Sequence, residues 1–337
     1  MPGTSDGDRT DLLRNRDGNR PSIAVSGEEA GAIAAHPRTL FPGGASEAHR
    51  GAGAPPLEPR VSARLPVAYL PHGGGPWPFV DLGLDPAETS ALSAFLRSVP
   101  ARAPAAVRAV LLVTAHWEEA VPTVSSHPRP GLLYDYSGFP PAAYQLSWAA
   151  EGAPALAAEV RALLAAAGLP HADDPHRGFD HGTFVPLMVA WPRGEVPVVQ
   201  LSLVRGLAPA AHRAIGAALA PLRDRGVYIL GSGLSFHNLR ALRNPAAGPP
   251  AAAFDAWLRD TIESPAPARD ARLDAWADAP SARFCHPREE HLLPLHVVAG
   301  AAGPDRGRVS WAGRFMGLPV LAASFGEERA TEGEQAS

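Results

Sequence analysis

Lysine is missing altogether, so all 30 cationic side chains are arginine. No internal Schiff base can form, and no P-loop lysine can hold a nucleotide phosphate. Cysteine occurs once, at Cys285, which excludes an intrachain disulfide framework and a thiolate zinc site. A single thiol accords with a reducing cytoplasm, the compartment expected here. No apolar run reaches the roughly 18 residues that mark a membrane span. The N-terminal stretch MPGTSDGDRTDLLRNRDGNR mixes acids and arginines and lacks the apolar core of a secretory signal. Clustered positive charge is also lacking: 30 cationic residues face 34 acidic ones, for a net charge of −4. Neither a nucleic-acid nor a membrane partner is therefore expected. What remains is 46% hydrophobic over 337 residues, ample for a large buried core.

Residues 1–60 are rich in Gly, Pro, Ser, Asp and Arg without sustained periodicity, and cannot bury enough apolar surface to offset their ordering entropy. They read as a disordered extension, or as the product of a start codon placed too early. His36 and His49 fall there and receive no role. Residues 328–337 read as a disordered tail. Between them, 61–327 reads as one domain in which strands and helices alternate. Strands are expected at 66–70, 109–114, 196–204, 226–231, 309–316 and 320–325. Helices are expected at 153–169, 183–191 with Thr183 as N-cap, 208–225, 250–262 and 287–301. This alternation indicates an α/β layer fold around a largely buried sheet.

The chain has 13 histidines, and their positions relative to the strands carry the functional signal. His72 follows the first strand in PHGGGPW, His116 follows AVLLVT, and His237 follows GVYILG. His181 precedes a helix in GFDHGTF. In open α/β sheets ligands bind beyond the carboxyl ends of strands, where residues distant in sequence meet. Several neutral imidazoles in one place suit a divalent transition metal. Gly73 to Gly75 let the backbone turn sharply against a ligand, yet lack the spacing of a phosphate loop. Ser232 and Ser235 read as loop residues bonding to backbone, since no nucleophile elbow surrounds them. His286, His291 and His296 recur every five residues, so on one helix they would point about 140° apart. One of them can face a site while the others do not. His127, His171, His176 and His212 have no distinguishing context. Glu118 and Glu119 read as a solvated loop end, and Asp180 as an imidazole-orienting group or a helix cap.

Seven motifs occur in order: PHGGGPW (71–77), TAHW (114–117), YDYSGFP (134–140), GFDHG (178–182), VPVVQLSL (196–203), GSGLSFHNLR (231–240) and EHLLPL (290–295). In this the chain resembles the LigB-type extradiol ring-cleavage dioxygenases, specifically the DOPA 4,5-dioxygenase-like branch, over residues 65 to 325.

The resemblance implies a three-layer α/β/α fold with a central mixed sheet and a non-haem metal at one edge. It implies His72, His116 and His237 as metal ligands and His181 as a fourth active-site histidine, an acid/base counted with the metal in this branch. His237 stands where other LigB proteins carry a carboxylate, so three neutral ligands leave the ion its full charge. Fe(II) is then the expected working metal, and Zn(II) an occupant the site should also bind. A catechol-type substrate and dioxygen are the implied small-molecule partners, with a semialdehyde as product. His291 is expected to assist catalysis. Tyr134, where several relatives carry histidine, is expected to bind substrate, and Trp77, Phe79, Tyr136 and Phe139 to wall the pocket with it. Two readings stand beside this one: a zinc-dependent hydrolase, and a non-catalytic metal-binding protein on the same fold.

Overall fold

A computed structural model describes residues 63–242 and 244–330. The expected extension over 1–60, with His36 and His49, lies outside the described residues, as do residues 331–337 of the expected tail. Glu328 and Arg329, assigned to that tail, are instead tied to the body. The Glu328 carboxylate pairs with Arg102 at 3.2 Å, and the Arg329 amide donates to the Arg102 carbonyl at 2.8 Å.

The strands are β1 (Val67–Pro71), β2 (Ala109–Glu119), β3 (Thr123–Ser125), β4 (Ala172–Asp174), β5 (Val198–Val204), β6 (Val227–Gly233), β7 (Gly307–Phe315) and β8 (Leu318–Phe325). The helices are α1 (Pro86–Arg102), α2 (Pro154–Ala166), α3 (His181–Ala190), α4 (Pro209–Leu219), α5 (Gly248–Glu263), α6 (Ala266–Asp274), α7 (Ala282–Cys285) and α8 (Leu293–Ala302). The strands form one mixed sheet in the order β4-β3-β5-β2-β6-β1-β8-β7. Its centre, β5-β2-β6-β1, is parallel. β3 and β8 flank it antiparallel, and β7 closes a hairpin with β8.

The central strands are continuous apolar runs because both of their faces are covered. Successive residues of β6 show this directly, since side chains alternate across a strand. A Cβ on Gly231 would meet the Pro294 backbone of α8, while the Ser232 hydroxyl donates to the Gly182 carbonyl of α3. Helices α3 and α8 therefore cover opposite faces, packed against α1 and α4 respectively. The three-layer α/β/α architecture is the one the family resemblance implied.

Several boundaries differ from expectation, each for a local reason. Helix α3 starts at His181, capped by Asp180, so Thr183 is its third residue and not its cap. Pro186 then falls beyond the first turn. Its missing N–H leaves the Gly182 carbonyl free, and that carbonyl is the one Ser232 occupies. Helix α4 ends at Leu219, where Pro221 turns the chain into a 3₁₀ segment. Helix α8 begins only at Leu293, so His291 lies in the preceding turn and His286 closes α7. Strand β2 does not stop at Thr114. It continues through a register shift between Val113 and Glu118, a bulge that re-aims His116. Helix α1 was not anticipated, although Leu92, Phe95, Leu96 and Val99 give its buried stripe and Asp85 its cap.

Candidate metal centre

His72 directly follows β1, and its amide donates to the Gly233 carbonyl at the end of β6 at 3.1 Å. The PHGGGPW turn behind it closes on Trp77, whose indole N–H donates to the His72 carbonyl at 2.7 Å. Gly73, at φ +78, must be glycine: a Cβ would sit 2.1 Å from the Trp77 indole nitrogen. His116 comes from the bulge of β2, His181 from the first turn of α3, His237 from the loop after β6, and His291 from the turn before α8. All five imidazoles line one cavity of about 380 Å³ at the carboxyl rim of the parallel strands.

The rings are in contact. The Nε2 atoms of His72 and His116 are 3.3 Å apart. The His181 ring lies 3.9 Å from that of His116, and His237 stacks on His291 at 3.3 Å between centroids, 19° from parallel. His72, His116 and His291 each offer a nitrogen within 4.8 Å of the other two.

Two partly exposed carboxylates brace these rings. Asp135 accepts from His181 Nδ1 at 2.8 Å and from the His181 amide at 2.9 Å, and its other oxygen is 3.5 Å from His116 Nδ1. Glu290 Oε1 accepts from His237 Nδ1 at 3.0 Å and from His291 Nδ1 at 2.9 Å. An ionised carboxylate only accepts, so each partner ring carries its proton on Nδ1 and keeps its lone pair on Nε2. Neither acid was singled out in the sequence, because a carboxylate beside a histidine in a loop has no diagnostic spacing. YDYSGFP and EHLLPL held the two acids. Glu118 and Glu119 do point outward, to Arg288 and Arg205.

A second polar layer sets the two histidines nearest α3. Buried Asp180 accepts from the Thr183 amide at 3.0 Å as the helix cap, from Thr114 Oγ1 at 2.8 Å, and from Arg177 at 2.8 Å. Thr114 Oγ1 accepts in turn from the His116 amide at 3.1 Å. Arg177 also donates to the His116 carbonyl and lies 4.3 Å over the Trp117 ring. Gly182 leaves room for the His116 ring, which a Cβ would meet at 2.7 Å. Asp180 therefore caps the helix and makes no imidazole contact of its own among those described.

Burial holds three of the imidazoles, His72, His116 and His291, neutral. It pushes His72 well below its usual range, with His116 and His291 adding to the effect. It drives His116 down to about 3, with His181 adding and Asp135 opposing. His291 is likewise pushed well down by burial and by His237. For Asp135 and Glu290 burial pushes upward, but the hydrogen bonds from His181 and His237 outweigh it and keep both carboxyls below their ordinary values.

This donor set fits a divalent ion. Nitrogens sharing one ion at about 2.1 Å lie roughly 3.0–3.4 Å apart, the separation of the His72 and His116 Nε2 atoms. His291 Nε2 is buried without a hydrogen-bond partner, a cost that a cation would remove.

The expected substrate residues are placed differently. Trp77 braces the turn from behind and is not among the cavity residues, and the Tyr134 hydroxyl donates to the Leu146 carbonyl at 2.6 Å. Of the five aromatics expected to wall the pocket, Phe139 alone lines it, and Phe236 and Phe315 supply the rest of the aromatic surface. Of the other histidines, His286 and His296 are bonded to backbone carbonyls. No helix among the described residues is long and apolar enough to cross a membrane.

Known proteins are similar to this chain over most of its length. Residues 66–322 match the family model of the catalytic LigB subunit of aromatic ring-opening dioxygenase. The dioxygenase tasH of Hapsidospora irregularis is 37% identical over 286 residues, 77% of this chain and 85% of that protein. The 4,5-DOPA dioxygenase extradiol of Beta vulgaris is 38% identical, covering 62% and 80%, and that of Escherichia coli K12 is 30% identical, covering 71% and 86%. The crystal structure of an uncharacterized protein from Escherichia coli K12 superposes with a TM-score of 0.61 at 29% identity, over 78% of this chain and all of that one. The chain belongs to the LigB family, in the branch of the 4,5-DOPA dioxygenase relatives, and is an extradiol ring-opening dioxygenase.

Proposed function

We propose that this enzyme opens a catechol ring with Fe(II) as its working metal, and that zinc can occupy the same site. The observation that carries the proposal is the meeting of five imidazoles, braced by two carboxylates, in the wall of one aromatic-sized cavity. His72 and His116 hold the ion, and the third nitrogen comes from the stacked His237–His291 pair. The family motif assigns that place to His237, whereas the spacing of nitrogens favours His291. Neutral imidazoles suit iron and zinc alike. Iron held by these residues would supply Lewis-acid and redox chemistry toward a catechol and dioxygen.

His181 is the acid/base. Asp135 fixes its proton on Nδ1, so Nε2 can take a proton from a catechol hydroxyl, and the carboxylate stabilises the imidazolium that forms. Whichever of His237 and His291 does not hold the ion is held by Glu290 through Nδ1 and presents its Nε2 lone pair, which accepts a hydrogen bond from a catechol hydroxyl. Apolar walls exclude water from the opening ring. Both oxygen atoms of O₂ enter the product, the carbon–carbon bond beside the diol breaks, and a carboxylate and an aldehyde result.

Protein purified without oxygen and loaded with Fe(II) should consume one O₂ per catechol and form a yellow semialdehyde, while the Zn(II) form should do neither. Turnover with zinc and no oxygen uptake would replace this reading with a hydrolase. His116→Ala should abolish metal loading. Metal content of His237→Ala against His291→Ala decides which ring is the ligand.

A further inference from the structure

Resting on that reading, we propose that the substrate is a catechol bearing an uncharged, apolar substituent rather than an amino-acid side chain. Beyond the histidines, the cavity wall contains no Arg, Asp or Glu side chain among the described residues. It is built from leucines on two sides, Phe139 over Gly75, and the Phe315–Met316 turn. The remaining polar side chain of the wall, Asn238, is committed at both ends. Its amide donates to the Phe284 carbonyl at 2.7 Å, and its oxygen accepts from the Arg240 amide at 3.1 Å. A zwitterionic substituent brought into this space would lose hydration at two charges and find no opposite charge on the wall. An alkyl or aryl group would gain from every carbon it buries. The 380 Å³ of space lies at the small end of ligand pockets, which run from about 300 to 1,000 Å³, and accommodates a ring with a short substituent.

The hairpin between β7 and β8 carries an independent sign. Phe315 pairs with Leu318, and the two residues between them, Met316 and Gly317, have φ of +52 and +82. Two positive φ values make this the turn for which Asn-Gly is the preferred sequence. Methionine is strained there. Its thioether side chain lines the cavity beside Phe315 and Val320. The fold alone would favour asparagine at 316, whereas an apolar ligand favours methionine.

The test uses the Fe(II)-loaded full chain with catechol, 4-methyl-, 4-ethyl- and 4-propylcatechol, and DOPA. kcat/KM should rise about fourfold per added carbon, with DOPA at least about 100-fold below 4-propylcatechol. If no catechol is cleaved, the ring-opening reading itself fails. If catechol is cleaved and DOPA matches or exceeds 4-propylcatechol, the substrate inference alone is overturned. Met316→Asn should fold with an equal or higher melting temperature, because it relieves the turn. Its preference for 4-propylcatechol over catechol should fall about tenfold. An unchanged preference in that folded variant would also overturn the inference.

Discussion

Asp135 and Glu290 each face two imidazoles, and this sharing decides which nitrogen four of the five rings present. Asp135→Asn is isosteric but puts an N–H or a weaker acceptor opposite His181 Nδ1, so the His181 tautomer is no longer fixed and its imidazolium is no longer stabilised. The expected result is a loss of kcat of about 100-fold, and of metal affinity of about 10-fold or more through His116. Steady-state kinetics at saturating Fe(II), with metal content measured at limiting Fe(II), separates the two effects. A variant with normal kcat would remove Asp135 from the proton path. At this scale the histidines were legible, because His72, His116 and His237 follow apolar strands whose ends a parallel sheet aligns. The acids that brace them were not, since their partnership exists only after loops 134–140 and 286–292 have folded onto the rim. Tyr134 was misleading for the same reason: a tyrosine in a site motif carries no mark of where its hydroxyl points.

Among the elements, the start of α3 joins the most parts of the site. Asp180 caps the helix, ties it to β2 through Thr114, and neutralises Arg177. Burial pushes its carboxyl upward, with Arg177 opposing. Gln200 of β5 extends the network, accepting from Thr183 Oγ1 at 2.8 Å and donating to the Gly178 carbonyl at 3.0 Å. Asp180→Ala removes the cap, worth about 1 kcal/mol, and leaves the half-buried Arg177 and the Thr114 hydroxyl without their carboxylate acceptor. The total expected loss is about 3–5 kcal/mol, read as a lower urea midpoint. Asp180→Asn, which keeps the cap oxygen, should lose less. Equal losses would mean that the charge on Asp180, and not its geometry, sustains the helix start. Element boundaries were legible where proline and glycine punctuate the chain, as in the Pro154 start of α2. They were misread where a tertiary contact overrides the local pattern. Strand β2 runs past its apolar segment because β5 continues to pair with it, and α8 starts late because the 286–292 turn is spent on placing His291 and Glu290.

Over the whole molecule, the buried imidazoles make stability depend on pH, and His212 offers a clean case away from the rim. It lies on α4, with Nδ1 donating to the Ala208 carbonyl at 2.8 Å and Nε2 accepting from the Val204 amide of β5 at 3.0 Å. Only the neutral ring can do both. Burial brings its pKa down to about 4, with the Ala208 hydrogen bond opposing. The unfolded chain would protonate it near the ordinary value of about 6.5. Between those values the unfolded state binds the extra proton, so His212 favours the native state fully above about pH 6.5 and progressively less as pH falls toward 4. The change from pH 7.5 to pH 5 amounts to about 2 kcal/mol for this one residue. His212→Gln retains an acceptor for the Val204 amide but cannot titrate. Urea unfolding of the two proteins across this range should therefore show the native protein losing about 2 kcal/mol more than the variant toward pH 5. The site histidines are common to both proteins and cancel in the comparison. Parallel profiles would mean that α4 yields locally and lets water reach the ring before the sheet unfolds.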